Sequence, residues 1–407
     1  MIDVRDHIRL LFDPASHEPL TTRSWDDERI RSAIAAIVAD TEGAFDDNEL
    51  WRPHPVDEAD GPLPQVTSLY LGAAGVIWAL HELEDAGVAD LRRNWTEIAL
   101  RLVELYETRP DFPELVDGPV PSLWMGEAGI LLVAHTLAPA TWQENRLLTA
   151  IRRNTESPAH ELMWGSPGTM LVAQVMAERT GVSTWRDAWI ESADHLWHAW
   201  EDEVWTQEIY GDRVQYLGPA HGFAGVIVAL ARGDFLAPER RVELERRTTA
   251  VLVQDAEQHD GLAQWPPISG HPLAREGQAI RTQWCHGAPG IVSTLASIAP
   301  HDDDLTTLLA AGGELTWRAG PLKKGTNLCH GTAGNGYAFL KLFERTGDEE
   351  WLMRARSFAM HSIEQVERAS VEYGRGRHTL WTGDLGTALY LRSCLAASAA
   401  FPTLDEF

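Results

Sequence analysis

The sequence predicts an all-α fold, a single α/α toroid in which seven inner helices are surrounded by seven outer ones. Three observations predict it. A Gly-x-x-Gly pair recurs seven times along the 407 residues. Each pair opens a short segment that is apolar on nearly every side, as expected of a helix inside a large fold. Longer stretches between these segments carry their charge on one face, the pattern of helices that meet solvent. No single repeat can bury both of its faces, so the chain is read as one domain over 1–407, with repeats at about 65–395. Residues 1–64 supply an N-terminal outer helix and a loop.

The elements follow in order. Asp26–Asp40 is amphipathic and predicts the first outer helix. Pro53–Pro64 holds four prolines and reads as a loop. The glycine pairs are Gly72/Gly75, Gly126/Gly129, Gly165/Gly168, Gly222/Gly225, Gly287/Gly290, Gly331/Gly334 and Gly383/Gly386, with successive first glycines 54, 39, 57, 65, 44 and 52 residues apart. Inner helices are expected from segments such as 76–80, 130–134 and 226–230. Further outer helices are expected over Asp90–Glu107, Trp185–Glu203 and Glu349–Arg368, and a second proline-rich loop over Trp265–Pro272. Glycine at an inner N-terminus lets the backbone approach its neighbours where a Cβ would not fit. Free N–H groups at such ends are expected to attract negative ligands.

Composition narrows the function. The 60 acidic residues against 34 Lys and Arg give a net charge of −26, which opposes binding to nucleic acid or an anionic membrane surface. No apolar run approaches the roughly 18 residues of a membrane span. Met1–Leu20 lacks the apolar core of a secretory signal. Three cysteines cannot build a disulfide framework, so a reducing, cytoplasmic setting is expected. The chain has 17 Trp but only three Lys.

Two of the cysteines stand in Trp284-Cys285-His286-Gly287 and Cys329-His330-Gly331, each directly before a Gly-x-x-Gly helix start. In adjacent repeats these positions become neighbours at the cavity end. Two thiolates and one imidazole make a Zn²⁺ site with its fourth position open, the catalytic form. Cys394 lies in an apolar helix and reads as core. His221 precedes Gly222 at the same repeat phase and is a candidate to give or take a proton near neutral pH. Arg281, four residues before Cys285, and Lys323 and Lys324, before Cys329, are candidates to hold a substrate carboxylate. Glu161 precedes Gly165, while Glu127 and Asp384 sit inside glycine turns, where a carboxylate also complements the helix dipole.

The motifs His221-Gly-Phe-Ala-Gly225, Trp284-Cys-His-Gly-Ala-Pro-Gly290 and Cys329-His-Gly-Thr-Ala-Gly334 together resemble the lanthionine synthetase C-like (LanC-like) family. The resemblance implies an α/α toroid, one zinc on Cys285, Cys329 and His330, and His221 as the active-site histidine. It also implies an active-site arginine at Arg281, and Glu161 occupies the position of an acidic residue that precedes one of the glycine turns. Lantibiotic cyclases typically carry Tyr after the first zinc cysteine. His286 stands there in this chain and is a second candidate proton donor. That residue, with Tyr216-Leu-Gly-Pro-Ala-His221 and Lys324-Gly-Thr-Asn-Leu-Cys329, looks more like the eukaryotic-type branch associated with glutathione, where the matching lysine is linked to thiol-substrate binding. The implied reaction is thiol addition to dehydroalanine or dehydrobutyrine in a peptide or protein, from glutathione or a cysteine. Two other readings stand beside it. One is a non-catalytic zinc module that binds a peptide; the other is a toroid glycosidase or epimerase using Glu161, Glu127 and Asp384.

Overall fold

The computed structural model describes residues 11–58, 65–112, 119–200, 202–275, 277–300 and 302–407. Among these residues fourteen α-helices alternate between an outer and an inner ring. The outer helices are α1 (Asp27–Gly43), α3 (Thr96–Thr108), α5 (Thr141–Asn154), α7 (Ser183–His198), α9 (Pro238–Asp255), α11 (Asp303–Ala319) and α13 (Glu349–Tyr373). The inner ones are α2 (Ala73–Asp85), α4 (Glu127–Leu137), α6 (Ser166–Thr180), α8 (Phe223–Ala231), α10 (Ala288–Leu295), α12 (Thr332–Thr346) and α14 (Asp384–Ala396). Every inner helix touches the next, and α14 touches α2, so the inner ring closes on itself. Helix α1, the only α-helix described before the first repeat, packs on α14 and α13 and completes the outer ring.

The two rings begin their helices differently. Asp26, Asp302 and Asp348 cap outer helices with side-chain oxygens. All seven inner helices start at the first glycine of a pair, with no side-chain cap. The loop seven residues upstream curls back instead. Ala73 N donates to Val66 O, Glu127 N to Val120 O, Phe223 N to Tyr216 O, Thr332 N to Gly325 O and Asp384 N to Arg377 O. This corrects the expectation of anion-binding ends, because the chain's own carbonyls occupy these first-turn amides. At α10 the Gln264 side chain serves Ala288 N. The curl explains the second glycines as well. A Cβ at Gly290 or Gly334 would overlap the carbonyl oxygen of Trp284 or Leu328, six residues earlier.

Helix limits differ from the sequence expectation where side chains intervene. Asp90–Trp95 is not helical; Glu42 accepts from the amides of Arg92 and Arg93 and holds the chain off. Helix α7 stops at His198, and Trp200 turns inward to stack on Trp205 at 4.1 Å. Helix α13 runs beyond Arg368 to Tyr373. Of the loop expected over Pro53–Pro64, residues 53–58 are described and non-helical, and 59–64 lie outside the described residues. No described helix is long and apolar enough to cross a membrane.

Indoles fill the axis. Trp124, Trp284 and Trp381 are wholly buried and meet one another, the closest pair at 4.4 Å between ring centroids. Phe401, from the segment after α14, stacks on Trp284 at 5.2 Å and contacts Trp381 and Tyr337. Arg179 donates to Phe407 O, Lys341 pairs with Asp405, and Arg392 pairs with Glu406, which seats this segment on the inner helices. Phe401→Ala is expected to cost about 3–5 kcal/mol, as for other buried Phe truncations. Equilibrium urea unfolding checks it; a loss under about 1 kcal/mol would place Phe401 outside the core.

Candidate active site

The curled loops carry the chemistry. Two residues before the first glycine stand Cys285 in one repeat and Cys329 in the next. Backbone hydrogen bonds tie these positions around the ring. Cys285 N donates to Cys329 O at 3.0 Å, Cys329 N to Trp381 O at 3.1 Å, Trp381 N to Tyr70 O at 3.3 Å, and Tyr70 N to Trp124 O at 2.9 Å. The two thiols are adjacent because they occupy equivalent positions on neighbouring loops. Gly287 has φ +105°, a conformation that favours glycine, and its Cβ position is blocked by Arg281 O. Ahead of it, Gln283 and His286 pair backbone to backbone, which closes the turn around Cys285.

Both thiols are buried and reduced. The Cys329 thiol donates to Cys285 and lowers the Cys285 pKa against the opposing effect of burial. Lys324 and the Gln283 amide, whose Nε2 lies 2.9 Å from Cys285 Sγ, pull the same way. Cys329 is correspondingly raised, so the pair gives up one proton readily and holds the other. The Tyr70 hydroxyl hydrogen-bonds to Cys329.

One residue further on, directly before the glycine, stand Trp164, His221, His286 and His330 in four consecutive repeats. His221 Nδ1 lies 2.9 Å from Glu161 Oε2, and Glu161 is fully buried. Burial depresses the His221 pKa, but the hydrogen bond and charge of Glu161 outweigh it and the net pKa is raised. Glu161 also accepts from the amides of Met163 and Trp164, so one carboxylate fixes both its own loop and the imidazole of the next. Burial, with Arg281, His221 and Lys324, lowers His286 to about 3. Burial, with Lys324 and Arg377, lowers His330 to about 3, leaving a neutral ring able to ligate.

The remaining expected residues divide. Arg281 is exposed at the rim, and its charge reaches His286 and Lys324. Lys324 Nζ donates to Gln283 Oε1, next to the thiols. Lys323 donates away from them, to Ala15 O. Glu127 pairs with Arg146 and Arg153 and Asp384 accepts from Arg377 N, so neither meets Glu161. Cys394 is buried in α14, its thiol pushed up to about 12 by burial. A cavity of about 360 Å³ is lined by Lys324, Asn327, Arg368, Arg375 and Arg377 together with Glu372 and Asp384. Tyr216, the first residue of the motif that ends in His221, has its ring 5.6 Å from His286. Sequence reasoning passes over Gln283, Tyr70 and Trp164 as functional residues. Counting back from each glycine finds Tyr70 and Trp164; Gln283 has no such signal.

A family model for lanthionine synthetase C-like proteins matches residues 64–405. The chain belongs to the lanthionine synthetase C-like family. Among relatives of this LanC-like chain is a Danio rerio protein named glutathione S-transferase LANCL1. It is 31% identical over 215 residues, 49% of this chain and 47% of that protein. The Arabidopsis thaliana LanC-like protein GCL1 is 32% identical over 165 residues, 39% of this chain and 36% of that one. The matched stretch thus spans less than half the length of either relative. The fold matches nisin cyclase with a TM-score of 0.60 at 18% identity, covering 90% of this LanC-like chain and 94% of that one.

Proposed function

We propose that this LanC-like chain adds a thiol across the double bond of dehydroalanine or dehydrobutyrine in a peptide or protein, with Zn²⁺ on Cys285, Cys329 and His330. The observation that carries the reading is the meeting of two unlike devices at one end of the ring. One is a pair of adjacent thiols in which Cys329 lowers the pKa of Cys285, and the other is an imidazole whose pKa Glu161 raises. Among the described residues no three His, Cys, Asp or Glu side chains form a ready-made metal cage. The fit rests on donor chemistry: two adjacent thiols and a neutral imidazole on the next residue are soft and borderline donors of the kind zinc selects. When bound, the metal supplies a deprotonated thiol at neutral pH.

The chain's own residues carry the rest. Lys324, beside the thiols, holds a carboxylate of glutathione, and Arg281 at the rim orients the acceptor peptide. As sulfur bonds to the β-carbon, the π pair moves to the α-carbon. His221 Nε2 delivers a proton there while Glu161 holds Nδ1. The thiol proton has left to solvent, so the net change is S–H added across C=C. The imidazole is reprotonated from water. Three free cysteines suit the reducing cytoplasm.

The test is to incubate zinc-loaded protein with a dehydroalanine peptide and glutathione and weigh the product. The expected result is a mass gain of one glutathione; a peptide bearing its own cysteine separates cyclisation, which leaves mass unchanged. Neither adduct nor ring from a protein holding one zinc would overturn the reading and favour a peptide-binding zinc module. Lys324→Gln is expected to raise the KM for glutathione about 10- to 100-fold, the loss of one charge-assisted hydrogen bond. The effect on cysteamine, which has no carboxylate, is expected to be much smaller. Equal effects on both thiols would remove Lys324 from carboxylate binding.

A further inference from the structure

We propose that Trp164 and Tyr210 form an aromatic shelf beside His221 that takes an apolar side chain, aromatic or branched aliphatic, from the acceptor peptide. The proposal rests on the reaction argued above and names a specificity determinant for it. Trp164 holds the repeat position that His221, His286 and His330 hold in the next three repeats, which places it at the same end of the ring. It is the member of the four that cannot titrate, and it is partly exposed while the axial tryptophans are wholly buried. Glu161 fixes its backbone amide, and its Nε1 donates to the Tyr210 hydroxyl at 2.9 Å. Phe112 stands edge-on behind it at 5.7 Å.

Tyr210 makes the second, independent point. It sits at the tip of a hairpin between β1 (Gln207–Ile209) and β2 (Asp212–Val214), with φ +53°, followed by Gly211 at +82°. Two residues of positive φ form the tight hairpin turn that favours Asn-Gly or Asp-Gly. The other hairpin among the described residues uses Asp260-Gly261 there, with φ +50° and +74°. A bulky aromatic therefore stands at a turn position that disfavours it, and the residue is 63% exposed. Its ring lies 5.8 Å from His221 and 6.4 Å from Trp164. An extended peptide advances about 3.3 Å per residue, so each of those steps spans about two residues. The shelf thus addresses a side chain two to four residues from the dehydroamino acid.

The experiment uses dehydroalanine peptides with Phe, Leu, Lys or Gly placed in turn at each of the four positions on either side. One position is expected at which Phe or Leu exceeds Gly about tenfold in kcat/KM, mainly through KM. Trp164→Ala and, separately, Tyr210→Ala at the exposed tip are expected to bring that ratio near one. Trp142→Ala, an exposed indole on α5, is expected to keep it. A ratio that survives both shelf variants, or no preferred position in the unaltered protein, would overturn the shelf. Calorimetric binding of the same peptides with alanine in place of dehydroalanine separates the two ideas. A Phe-over-Gly affinity difference lost in Trp164→Ala, without any adduct, supports the shelf and removes the reaction. Adduct formation indifferent to the flanking residue does the reverse.

Discussion

Alanine in place of His221 is expected to lower kcat for thiol addition by about 10²- to 10⁴-fold, the usual contribution of a positioned proton donor. Zinc content should stay at that of the unaltered protein, because His221 is not in the proposed ligand set. The pH profile supplies the sign. The donor works protonated and its folded pKa is raised, so the rate should fall as pH rises through that raised value. Glu161→Gln removes the hydrogen-bonded charge that opposes burial, so the falling limb should move to lower pH. A profile unmoved in Glu161→Gln, with a His221→Ala enzyme of full rate, would assign the proton to another group; His286, lowered to about 3, would be neutral in that pH range.

Serine in place of Cys329 is expected to have a larger effect, because it removes a ligand and half of the thiol pair together. The rate should fall to that of the uncatalysed reaction, below the His221→Ala level, and bound zinc should fall well below one per chain. Serine is nearly the size of cysteine, so the buried site should stay filled and the far-UV spectrum unchanged. Cys394→Ser is the matching control: it changes a buried thiol in α14 remote from the loops and should alter stability but not metal content. Metal analysis by mass spectrometry beside the adduct assay reads both variants. Full zinc occupancy in Cys329→Ser would sink the ligand assignment.

The ring was legible because its signal repeats. Gly290 and Gly334 are needed for one steric reason, the carbonyl six residues earlier, and that reason recurs in every repeat. The cysteines were legible because equivalent positions on neighbouring loops must meet once the ring closes. Glu161 was visible as an acidic residue before a glycine turn, but its reach to His221 across 60 residues was not. Gln283 was hidden because a glutamine in a loop has no distinguishing pattern; only the folded turn brings its amide to Cys285. The end of α7 was misplaced because the stacking of Trp200 on Trp205 overrides a helical charge pattern that runs past it.

The indole-filled axis carries a consequence for traffic. With Trp124, Trp284 and Trp381 packed together and Phe401 wedged beneath two of them, the ring is a cup and not a pipe. A polypeptide cannot thread it. Whatever reaches the thiols must enter and leave by the same opening, as a chain end or as a hairpin with both limbs passing the rim. For the reaction proposed above, a folded protein would have to loosen locally before its dehydroamino acid could reach the thiols.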